Sequence, residues 1–146
     1  MMRSLHGMFV LSIVAIAVAG NVATAQTSGS GDSKKDKSVY AELTKVPAKA
    51  AAKQNPLEQD PDAVAAGSKL FEMHCAECHG ADATGGKKGP NLRVEEVQQA
   101  TPGSIFWVLT NGVVRRGMPV WSRLPEPQRW QLVAYIKSLP PSPSGK

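Results

Sequence analysis

Apolar residues recur at the helical period in three places along the chain. Ala63, Val64, Gly67, Leu70, Phe71 and His74 share one face of a helix that begins near Pro61, where a proline followed by Asp62 suits a first turn. Gly67 lies one turn before Phe71, where a side chain would obstruct close approach by another helix. Ile105, Val108 and Leu109 form the buried face of a second helix, capped by Thr101 with Pro102 behind it, running to about Thr110 and closed by Asn111 and Gly112. Leu132, Tyr135, Ile136 and Leu139 stand at i, i+3, i+4 and i+7 on a third helix from about Glu126 to Ser138, bounded by Pro125 and Pro140. A shorter helix is predicted within Val94 to Ala100. No run alternates apolar and polar positions for long enough to make a sheet, and no internal repeat is found, so the fold class is all-α.

The amphipathic pattern is missing from the first part of the chain. Arg3 and His6 precede an apolar run from Met8 to Ala19, and Ala23, Thr24 and Ala25 form an A-x-A cleavage site, so residues 1–25 read as a secretory signal peptide. A run of twelve falls short of the ~20 residues needed to span a bilayer, although an uncleaved segment would leave a membrane tether. Residues 26–60 are rich in Gly, Ser, Lys, Asp and Ala and predict a flexible low-complexity leader, with a transient helix across Ala48 to Gln54. The folded domain is placed at residues 61–146.

Charge narrows the function little. The formal net charge is +5, but between Asp62 and Pro140 nine Lys or Arg stand against seven Asp or Glu. That balance is not the footprint of a nucleic-acid binder.

The two cysteines change the picture, because both fall in Cys75-Ala76-Glu77-Cys78-His79, and none remains for a structural disulfide. C-x-x-C-H is the attachment signature of a c-type haem: each thiol forms a thioether to a vinyl group, and the following histidine turns its imidazole onto the iron. A zinc site would need further Cys or His ligands, and only His74 and His79 lie nearby. A thioredoxin-like site would need flanking strands, whereas here a helix precedes the cysteines and the glycine-rich loop 80–92 follows them.

An iron so held needs a sixth ligand or an open position. Met118, in Gly117-Met118-Pro119, is the candidate, since its segment has no helical stripe that would use it as core and a thioether favours reduced iron. Met73 precedes Cys75 on the same helix and is excluded on that ground. Arg115 and Arg116 admit two roles, one of the pair reaching a haem propionate or both remaining solvated. Trp107 and Trp121 are expected to pack on the haem. Lys87 and Lys88 lie on the loop and stand either as part of a basic ring that steers an acidic partner or as solvated charges.

These ordered elements, Gly67 and Phe71, Cys75 to His79, Gly89-Pro90-Asn91-Leu92, Met118-Pro119, and Trp130 with Tyr135, resemble the small monohaem class I cytochromes c of the bacterial periplasm over Asp62 to Leu139. The 39 positions from His79 to Met118 match the short bacterial forms. The resemblance implies a cytochrome c fold, three to four short helices around one covalent haem, with His79 and Met118 axial. It also implies a contact of Gly67 and Phe71 with Leu132 and Tyr135, and a Pro90 carbonyl that accepts a hydrogen bond from the proximal imidazole. The leader and the run Val113 to Arg116 depart from the family pattern.

The expected function is a periplasmic one-electron carrier, monomeric, meeting dehydrogenase, oxidase or cytochrome partners transiently, and not itself an enzyme. The alternative is a haem subunit of a larger oxidoreductase, such as a quinoprotein dehydrogenase or terminal oxidase. A gas sensor or enzyme would require an open iron position.

Overall fold

The computed structural model describes residues 39–142. The expected signal peptide, 1–25, and the first part of the expected leader, to residue 38, lie outside the described residues. Helices α1 (Ala41–Thr44) and α2 (Ala48–Ala51) come first, then α3 (Pro61–His74), α4 (Ala76–His79), α5 (Glu95–Gln98), α6 (Pro102–Asn111), a 3₁₀ turn at Val114–Arg116, and α7 (Glu126–Ser138). Among the described residues no strand forms beyond one isolated bridge between Val113 and Met118. The architecture is therefore all-α, as the periodicity predicts.

The centre of the fold is the crossing of α3 on α7. Asp60 caps α3 by accepting from the Asp62 amide at 2.9 Å, with Pro61 in the first turn. Ala63, Gly67, Leu70 and Phe71 are buried along it. A Cβ on Gly67 would sit 2.1 Å from the Gln131 carbonyl oxygen and 2.8 Å from Tyr135 Cβ, so only glycine permits the approach. One turn further on, the Phe71 and Tyr135 rings lie 5.3 Å apart and tilted, and Leu132 and Val133 are wholly buried.

Helix α6 supports α7 from another side. The Ser104 amide donates to Thr101 Oγ1, and the Phe106 ring stacks on Trp130 at 3.9 Å with the Arg129 guanidinium 4.7 Å from the Phe106 ring centre. Ile105 and Leu109 are buried as expected and Val108 is half-buried. Trp107, expected against the haem, is half-exposed and does not reach the cleft described below. Trp130 occupies the core instead, 4% exposed.

Residues 39–60 differ from the expected leader. Tyr40 and Asn55 are buried, and the Asn55 side-chain amide donates to the Trp130 carbonyl at 3.0 Å. Helix α2 seats against the start of α6: Thr101 Oγ1 donates to the Ala51 carbonyl, and a Cβ on Gly103 would lie 2.2 Å from the Ala50 carbonyl oxygen. The packed structure thus begins before residue 61. Val39, Tyr40, Leu43, Val46 and Leu57 give this segment apolar side chains, which the Gly, Ser, Lys and Asp tract at 27–38 hides when 26–60 is read as one stretch.

Candidate functional site

Helix α3 ends at Cys75, where the backbone leaves helical geometry, and α4 makes one further turn through Ala76–His79. The Cys78 and His79 amides both donate to the Cys75 carbonyl, at 3.0 and 2.9 Å, so this turn sets the two thiols and the imidazole together. Both cysteines are free; Cys75 is buried and Cys78 half-buried. Burial, with the neighbouring Cys78 adding to it, pushes the Cys75 thiol up to about 11. Its uncharged form therefore prevails at neutral pH.

His79 Nδ1 lies 2.8 Å from the Pro90 carbonyl oxygen. A carbonyl can only accept, so Nδ1 carries the proton and Nε2 keeps its lone pair. Burial lowers the His79 pKa, with the Pro90 bond opposing it, which keeps the ring neutral and able to ligate. Gly89 is required beside this bond, since a Cβ there would sit 2.9 Å from the Cys78 carbonyl oxygen and 3.1 Å from His79 Nδ1. Bonds from the Gly85 amide to the His79 carbonyl and from the Leu92 amide to the Ala83 carbonyl, each 2.8 Å, fold the loop back on itself.

Met118 arrives on a different loop. Gly112, at φ 66°, ends α6; Val113 and Met118 then exchange backbone bonds of 3.0 and 3.3 Å, and Gly117, at φ 87°, closes the turn. Cys75, Cys78, His79, Pro90 and Met118 line one cleft of about 350 Å³. Its walls are mainly apolar, with Phe71, Leu109 and Ile136 among them, and Trp121 lines it with its ring 5.4 Å from that of His74. A cleft of this size and lining suits a large apolar prosthetic group fixed by a few polar atoms. The donor set fits a c-type haem: two free thiols, an imidazole with its Nε2 available and a thioether.

The two arginines part company. Arg116 lines the cleft, whereas Arg115 projects outward and stands 3.9 Å from Glu42 Oε1. Lys88 lines the cleft too and pairs with Glu77 at 2.5 Å, both side chains largely in solvent. Val39, Tyr40, Glu42 and Leu43 also line the cleft and were not among the expected site residues. A signal for them exists in the sequence: Val39, Leu43 and Val46 stand at i, i+4 and i+7, with Tyr40 beside them.

Residues 62–136 match the family described as Cytochrome C oxidase, cbb3-type, subunit III. Over 107 residues the chain is 37% identical to the cbb3-type cytochrome c oxidase subunit CcoP of Rubrivivax gelatinosus, covering 72% of this chain and 33% of that protein. Over 87 residues it is 32% identical to the cytochrome bc1 complex cytochrome c subunit of Corynebacterium diphtheriae, covering 58% of this chain and 30% of that one. The chain thus spans about a third of the length of these curated relatives. The crystal structure of cytochrome CL from Methylophaga aminisulfidivorans is similar with a TM-score of 0.53 and 26% identity, over 60% of this chain and 59% of that one. The chain belongs to the family of the matched model, as a class I cytochrome c domain for electron transfer with a covalent c-type haem.

Proposed function

We propose that Cys75 and Cys78 hold one haem by thioether bonds, that His79 Nε2 and the Met118 thioether are its axial ligands, and that the protein carries single electrons in the periplasm. When bound, the haem iron supplies a one-electron ferric–ferrous couple. The observation that carries this reading is the Pro90 carbonyl on His79 Nδ1, 2.8 Å away, within a cleft that Met118 also lines. That bond orients the imidazole and raises its basicity toward a metal. The apolar walls would keep water from a bound haem, and the Met118 thioether would occupy the iron's remaining position, so the domain transfers electrons and is not an enzyme by itself. Arg116 is the better placed of the two arginines to meet a propionate.

The names of the relatives favour a second reading at the level of assembly. CcoP and the bc1 cytochrome c subunit are named as subunits, so this domain is either a diffusible monomeric carrier or the haem module of a larger oxidoreductase. No helix among the described residues is long and apolar enough to cross a membrane.

Mass spectrometry of the chain expressed with haem-attachment machinery tests the first point. One covalent haem is expected in the wild type and none in the Cys75→Ala, Cys78→Ala double variant; a wild type without haem would defeat the proposal. Gel filtration of native material tests the second. A monomer supports the carrier, and a complex that survives high salt supports the subunit.

A further inference from the structure

Val39, Tyr40, Glu42 and Leu43 lie outside the span matched by the family model, yet they line the cleft, and Tyr40 and Glu42 reach its two loops. Tyr40 is 8% exposed, and its hydroxyl donates to the Asn91 carbonyl at 2.7 Å. Asn91 directly follows Pro90, whose carbonyl engages His79. Two residues after Tyr40, Glu42 Oε1 faces Arg115 at 3.9 Å, on the turn that carries Arg116 and Met118. This short segment therefore ties the histidine loop to the methionine loop. Its position is set from behind by the seating of α2 on α6 and by the Asn55 bond to Trp130.

We propose that Val39–Leu43 is a clasp across the haem cleft. Tyr40 and Glu42 are positioning residues that keep the two loops together and so limit entry of small molecules to the iron. The inference rests on the haem reading above. Tyr40 contributes most, because its hydroxyl and ring are buried. Glu42 contributes least, because its Oε1 already accepts from Lys45 at 2.9 Å, while Arg115 is exposed and 3.9 Å away. Leu43 packs against the core and adds apolar cover.

The test is stopped-flow binding of imidazole to the full-length ferric holoprotein, with melting temperature measured alongside. Tyr40→Phe removes only the hydroxyl and should accelerate imidazole entry roughly 5-fold, the ratio expected from losing one hydrogen bond. Tyr40→Ala combined with Leu43→Ala should accelerate it more. Should that double variant fail to hold haem, Tyr40→Phe alone decides. An imidazole rate equal to wild type in Tyr40→Phe would overturn the clasp. A wild type lacking the far-red thioether–iron band would overturn Met118 ligation, while the same rates, now measured on an open iron, would still decide the clasp. A chain without covalent haem would overturn both.

Discussion

The loop after His79 and the loop that brings Met118 line the same cleft, but they are held by different means. Behind His79, backbone bonds from Gly85 to His79, from Gly86 to Gly89 and from Leu92 to Ala83 close the chain on itself. Ala83 there has no exposed surface, and Tyr40 ties down Asn91 from outside. Around Met118 the turn has the paired bonds with Val113 and the Gly117 amide on the Val114 carbonyl. Val114 is 68% exposed, and a Cβ on Gly117 would meet nothing within 4 Å. Fewer buried contacts mean cheaper local opening. The histidine side is over-determined and the methionine side is soft, so ligand exchange at the iron should take place on the methionine side.

Substitutions can break this contrast, beginning with the largest effect. His79→Ala removes the proposed axial imidazole on the firm loop, and the chain should fail to accumulate stable holoprotein; a pyridine haemochrome assay showing wild-type haem content would contradict this. Gly89→Val should push the His79 ring and the Cys78 carbonyl apart and cost about 2–3 kcal/mol, the upper part of the range for overpacking a close contact. Chemical denaturation of the holoprotein measures it.

On the soft side, Gly117→Ala should cost only about 1–2 kcal/mol, because the penalty comes from the positive φ and no neighbour is displaced. The same denaturation series checks it, and a loss as large as that of Gly89→Val would remove the proposed difference between the loops. Lys88→Gln stands at the bottom of the scale. Its pair with Glu77 is open to water, so unchanged stability is expected, with any effect confined to the salt dependence of partner association.

How much of this could be read from the sequence depended on what each residue signals. The α3 and α7 helices follow from apolar periodicity, capping and prolines, and their bounds match because Asp60, Pro61 and Pro125 are local signals. The contact between Pro90 and His79 uses a backbone carbonyl, which no side-chain pattern announces, and it was expected only through resemblance. Trp107 lies outside the cleft lining because a helix turns about 100° per residue, so that Phe106 is buried in the core and its neighbour only partly buried. Arg115 and Arg116 diverge for a similar reason, at about 120° per residue in a 3₁₀ turn. The packing of 39–60 is hidden in the sequence because the polar tract at 27–38 dominates the composition of the stretch as a whole. A few buried side chains, chiefly Tyr40 and Asn55, fasten it by contacts made far along the sequence.

The central claim is that the soft loop delivers an axial ligand. It is tested most directly by the far-red absorption of the ferric protein, compared with Met118→Ala. The wild type should show the thioether–iron band; the variant should keep its covalent haem, lose the band and have a lower reduction potential. A Met118→Ala protein with the band and potential of the wild type would contradict the account.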